Sequence, residues 1–152
     1  MRFEVPRDFP PLTDDDKRSI RESVEVHDGF VYFHRVPNPT KASVIYSTGY
    51  IIELLIDSGY TALILDFTGR DLVNHQLRRL MLSRASDMIK QITDVVIVLD
   101  GNSFRRVVID FFVRAYIRRH DCTVEFFSTK EEAISHMRES VQSDAQTGKT
   151  DS

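Results

Sequence analysis

Carboxylates, hydroxyls and arginines recur just after three short apolar runs of this sequence. Asp66, Thr68, Gly69 and Arg70 follow TALIL; Asp100, Gly101, Asn102 and Ser103 follow DVVIVL; Ser128 and Thr129 follow CTVEFF. Such groups can dock a polar partner, hold an anion or pass a proton. The anion reading uses Asn102, Ser103, Arg105 and Arg106. If Asn102 or Ser103 opens a helix, its first amides can hold an anion. Two arginines in that first turn oppose the helix dipole by up to about 1 kcal/mol, which a bound carboxylate or phosphate would offset. The simpler account has Asn102 as a cap and the arginines solvated. The proton-transfer reading pairs His75 with Asp66 or Asp71. Its simpler counterpart has Asp66 ordering its turn and His75 exposed on a helix, and we adopt it.

The remaining histidines, His27, His34, His120 and His136, show no metal-ligand spacing. Cys122 is the single cysteine, which excludes an intramolecular disulfide and a cysteine zinc cluster. It reads as a small buried strand residue. No glycine-rich phosphate loop of the Walker or dinucleotide type is present. The expectation is therefore no catalytic residue, no metal and no cofactor.

The elements that must position these groups can be read from periodicity. In the stretch Thr61–Gly69, Tyr60 to Phe67 is a nearly unbroken apolar run with Gly59 before it and Gly69 after it, the pattern of a strand buried on both faces. In a parallel sheet its C-terminal end is where ligand and partner sites gather. Asp94–Leu99 and Cys122–Phe127 read as two further strands. Ser23–Val26 and Phe30–Val36, joined by His27-Asp28-Gly29, read as a hairpin, because glycine accepts the positive φ of the turn. Thr13 can cap a helix over Asp14–Glu22, and Thr40 one that runs to about Asp57 and stops at Ser58-Gly59. A helix is expected from Asp71 or Leu72 to about Gln91, and another from Asn102 or Ser103 to about Arg119. Ser128 and Glu131 read as a capping box for a last helix with Ala133, Ile134 and Met137 inward. From Gln142 the composition is that of a disordered tail. The fold class expected is α/β: a (βα)n superhelix with a mostly parallel central sheet, an N-terminal antiparallel hairpin and about four helices.

The 152 residues suit one domain, with 1–20 an N-terminal arm, 21–141 the folded unit and 142–152 the tail. The charged fraction is 28% and the net charge −3, a balance that argues against broad nucleic-acid binding. Arginines cluster on 102–119 (Arg105, Arg106, Arg114, Arg118, Arg119), which could face an acidic partner or a membrane surface; a solvated helix face is the reading adopted. Apolar groups beyond one stripe of that helix, among them Ile109 and Tyr116, leave self-association into a homodimer as a further expectation. The start of the chain has no apolar leader and no run nears the roughly 18 residues of a bilayer span, so a cytoplasmic location is expected.

The order LILDFTG, long helix, VVIVLDGNSFRRVVIDFFVRAY and FFSTKEEAISHM resembles STAS-like domains of the SpoIIAA-like superfamily over roughly residues 24–140. The resemblance implies a four-turn βα superhelix and a regulatory role through protein–protein contact, with a regulator or kinase-like protein as partner. It implies a partner surface at Thr68, Gly69, Arg70, Asp71, Asn74 and His75. Members of the wider superfamily also bind nucleotides or lipids, which is the alternative for the Asn102–Arg106 edge. Phosphoswitch members carry a serine a few residues after the central strand, where this chain reads Asp71-Leu72-Val73-Asn74-His75-Gln76. A phosphoserine switch is therefore not expected.

Overall fold

The computed structural model describes residues 12–70, 74–99 and 122–150. Helix α1 is Asp14–Glu22, and strands β1, Val24–His27, and β2, Phe30–His34, follow it. Helix α2 is Lys41–Ser58, strand β3 is Ala62–Asp66 and helix α3 is His75–Met88, continued by a 3-10 turn over Ile89–Gln91. Strands β4, Asp94–Val98, and β5, Thr123–Phe127, precede helix α4, Lys130–Thr150. The strands form one sheet in the order β1-β2-β3-β4-β5, with β1 antiparallel to β2 and the rest parallel. The expected α/β class, central strand and edge hairpin are present. No described helix is long and apolar enough to cross a membrane.

Alternation along the strands sorts the apolar residues into two layers. Val31, Phe33, Leu63, Leu65, Val95 and Ile97 meet Ile51 and Leu55 of α2 and Met88 of α3 on one face. Phe30, Tyr32, Ile64, Val96 and Val98 meet Ala133 and Met137 of α4 on the other. Every residue of β3 is buried. That explains its unbroken hydrophobicity: a strand third of five, covered on both faces, has no position left for a polar side chain except at its end. Burying each such Leu or Ile stabilises by about 1.5–3 kcal/mol.

Local capping follows the side chains. Thr13 and Asp16 form a reciprocal box for α1, and Thr40 and Ser43 one for α2, each satisfying two backbone donors. Gly59 closes α2 in the left-handed conformation, φ 74°. The last cap is one residue later than expected and is not a reciprocal box: Thr129, not Ser128, accepts from the Glu132 amide at 3.2 Å, and its hydroxyl donates to Glu132 Oε1 at 3.1 Å. Helix α4 also continues to Thr150, through the segment that composition assigns to a tail. No proline interrupts it, and Gln142 and Ala145 are adequate helix formers. The β2 strand stops at His34, before the expected Val36. The helix expected over 102–119 lies outside the described residues.

At the N-terminal edge of the parallel strands, polar groups satisfy one another. Thr93 Oγ1 donates to Thr61 Oγ1 at 2.9 Å, and Thr123 Oγ1 to Asp94 Oδ1 at 2.5 Å. The hairpin turn packs at this end too. Gly29 has φ +94°, and a Cβ there would lie 2.3 Å from Val141 Cγ1 of α4. Gly29→Ala should therefore combine overpacking with a strained φ and destabilise by about 1–3 kcal/mol. Urea unfolding measures it, and Val141→Ala in the same chain should recover part of the loss. An unchanged midpoint for Gly29→Ala would show that the turn and α4 are not so closely packed.

Candidate functional site

The C-terminal end of β3 carries one buried carboxylate, and several elements converge on it. Asp66 is 2% exposed. In the parallel register it stands beside His34 of β2. Period-two alternation puts Tyr32 and His34 on the same side of β2. The Tyr32 hydroxyl donates to Asp66 Oδ2. The other oxygen, Oδ1, accepts from the Thr68 amide at 2.9 Å and from Thr68 Oγ1 at 2.7 Å. Three donors thus meet one carboxylate, which offsets the cost of taking it out of water.

The same carboxylate shapes the turn that follows. Its bonds to Thr68, two residues on, make a side-chain-closed turn. The Arg70 amide donates to the Phe67 carbonyl at 3.2 Å, and Gly69 sits at φ +70°, where a side chain would be strained. His34 Nε2 lies 2.8 Å from the Thr68 carbonyl. A carbonyl only accepts, so Nε2 carries the proton and, in the neutral ring, Nδ1 is the acceptor. The Arg35 amide donates to the Asp66 carbonyl at 2.9 Å, and Arg70 Nε donates back to the Arg35 carbonyl. The β2 exit and the β3 turn are in this way stitched together on both sides of Asp66.

A second layer of charge covers Tyr32. Lys130, at the start of α4, bonds Glu25 of β1 at 2.6 Å and places its ammonium 4.4 Å from the centre of the Tyr32 ring. Glu25 also meets His27 Nε2 at 3.0 Å. Burial pushes the Glu25 carboxyl upward, but the bonds from Lys130 and His27 outweigh it and hold the group below its ordinary value. Burial first, and then the bond to Asp66, hold the Tyr32 phenol far above its ordinary value, so it remains a donor.

Of the residues expected to meet a partner, Thr68, Gly69 and Arg70 form the turn itself. Gly69 is exposed, and Thr68 and Arg70 are half-buried. Asn74 is exposed and caps α3, its Oδ1 accepting from the Leu77 amide at 2.9 Å. His75 opens α3. The helix thus begins at His75, past the Asp71 or Leu72 start expected for it. Asp71 lies outside the described residues, as do Asn102, Ser103, Arg105 and Arg106 with the whole second loop. Ser128 and Thr129 are exposed at the third strand end.

Asp66 orders its turn, as the simpler sequence account has it. Both its oxygens accept hydrogen bonds, one from Tyr32 and two from Thr68. Cys122 is buried, and burial together with the Asp94 charge pushes its thiol up to about 11. It is held as a thiol at neutral pH. Among the described residues no group of three or more His, Cys, Asp and Glu is arranged to hold a metal.

Sequence reasoning did not single out Tyr32, His34 or Arg35. The two-residue alternation of Tyr32 and His34 was visible, but only the pairing of β2 with β3 brings them to Asp66. No protein-family model matches the chain, and no curated protein matches it.

Tyr32→Phe removes one donor and leaves a buried carboxylate oxygen unsatisfied. The expected loss is about 1–3 kcal/mol, read from the urea midpoint and slope. A variant as stable as the wild type would mean that the phenol does not support Asp66.

Proposed function

We propose that this chain is a non-catalytic regulatory module of the STAS-like type, which docks a protein partner through the turn after β3 and the start of α3. The contact residues are Thr68, Gly69, Arg70, Asn74 and His75, with Asp71 between them in sequence. The observation that carries the reading is the Asp66 turn. Its carboxylate is spent on structure, and the hydrogen bonds it makes hold the following residues at the molecular surface in one arrangement. A pre-ordered turn loses little conformational entropy on binding, which favours its use as a docking surface.

The sheet, with its antiparallel edge hairpin and helices between parallel strands, is compatible with the superhelix that the resemblance implies. A fold of this class hosts many functions, so the weight of the reading rests on the turn. Regulation through a phosphoserine after the central strand is not part of it, because the sequence from Asp71 to Gln76 has no hydroxyl.

Pull-down from native lysate tests the surface. Asn74→Asp keeps a good helix cap while adding a charge, and Arg70→Glu reverses one. The double variant should lose the partner that the wild type recovers, with its unfolding midpoint largely retained. Equal recovery of every partner by a folded double variant would contradict the surface.

A further inference from the structure

We infer that the cavity between α1, the β2–α2 connection and Arg70 binds a small organic monocarboxylate that also carries an amine or hydroxyl group. The cavity encloses about 400 Å³, which lies in the range of small-molecule sites, roughly 300–1,000 Å³. It does not depend on a protein partner, and most of its wall lies outside the docking turn.

Arg70 decides the ligand's charge. Its Nε donates to the Arg35 carbonyl, and the residue lines the cavity. Its two terminal nitrogens make no bond to a carboxylate among the described residues. Among the described residues no acceptor engages those two nitrogens, so they remain available to a ligand. A carboxylate matches its two remaining donors in one fork.

The other walls refine the choice. Leu12, Ile20, Val36 and Pro37 offer apolar surface for a carbon skeleton. Thr40 Oγ1 already accepts from the Ser43 amide at 3.1 Å, so its proton is left to donate. Asp16 also lines the space; its Oδ2 takes the Thr13 amide at 3.1 Å, which leaves Oδ1 as an acceptor. That carboxylate repels a dianion and favours a ligand with a donor of its own. An inorganic phosphate would meet Arg70 and be opposed by Asp16.

Amide chemical-shift titration of the full chain with L-leucine, with lactate and with inorganic phosphate tests the assignment. At least one of the two monocarboxylates should give saturable shifts at Ser19, Ile20, Asn38 and Arg70, and phosphate none. Arg70→Met should weaken that binding about tenfold or more, the loss of a charge-assisted contact. Ser19→Trp should abolish it by filling the cavity from an exposed helix position. Ser19 lies on α1 and is not one of the docking residues, so its variant, with partner capture measured alongside, separates loss of the acid from loss of a protein partner. Absence of saturable shifts with both acids, saturable phosphate binding at the same amides, or wild-type affinity in either folded variant would overturn the inference.

Discussion

A carboxylate buried at the end of an apolar strand is tolerable only if its lone pairs are met. At Asp66 they are met by Tyr32 from the neighbouring strand and by the amide and hydroxyl of Thr68 from its own turn. Much of the C-terminal edge depends on that arrangement. It fixes where Thr68 sits, and with it the carbonyl that His34 meets. It fixes the Asp66 carbonyl to the Arg35 amide, and through the Arg35 carbonyl it sets Arg70. Removing the carboxylate would leave a phenol, an amide and a hydroxyl competing for water in a space built to exclude it.

The two faces of the sheet contribute unequally to this edge. On one, α2 and α3 cover β2, β3 and β4 and supply most of the apolar core. On the other, α4 lies across the sheet and touches it through Ala133 and Met137, with Val141 against the Gly29 turn. The N-terminus of α4 reaches the C-terminal edge of the sheet by Lys130, which spans from Glu25 to the face of Tyr32. The ion pair is about two-fifths exposed, and its own stabilisation is small. Its larger effect is to cover the phenol that supports Asp66. The N-terminal edge, in contrast, closes on itself through its threonines and Asp94.

Much of the architecture was legible from the chain alone. The strand Ala62–Asp66 announced itself because burial on both faces leaves no alternation. The caps Thr13 and Thr40 were readable because a hydroxyl before a helical pattern has a definite donor to meet. The Asp28-Gly29 turn was readable because few other pairs tolerate its backbone. The role of Asp66 as a turn former was also accessible from its place before Thr68 and Gly69. What resisted reading was pairwise. Nothing local told that Tyr32 and His34, on a different strand, would face Asp66, since register between parallel strands is set by crossovers and packing. The Thr129 cap was missed by one residue, because Ser128 and Glu131 offer the same spacing as Thr129 and Glu132. The continuation of α4 past Gln142 was missed because composition was weighed above the absence of proline.

The central claim is that Asp66 locks the turn after β3 into one ordered surface. Native-state hydrogen exchange at the Thr68 amide tests it most directly, because that amide lies in a loop yet donates to the buried carboxylate at 2.9 Å. Loop amides bonded to water open at almost no cost, whereas those locked into the core open only with it. The account predicts exchange at Thr68 as slow as that of the β3 amides. Exchange as fast as that of an exposed loop residue would contradict it.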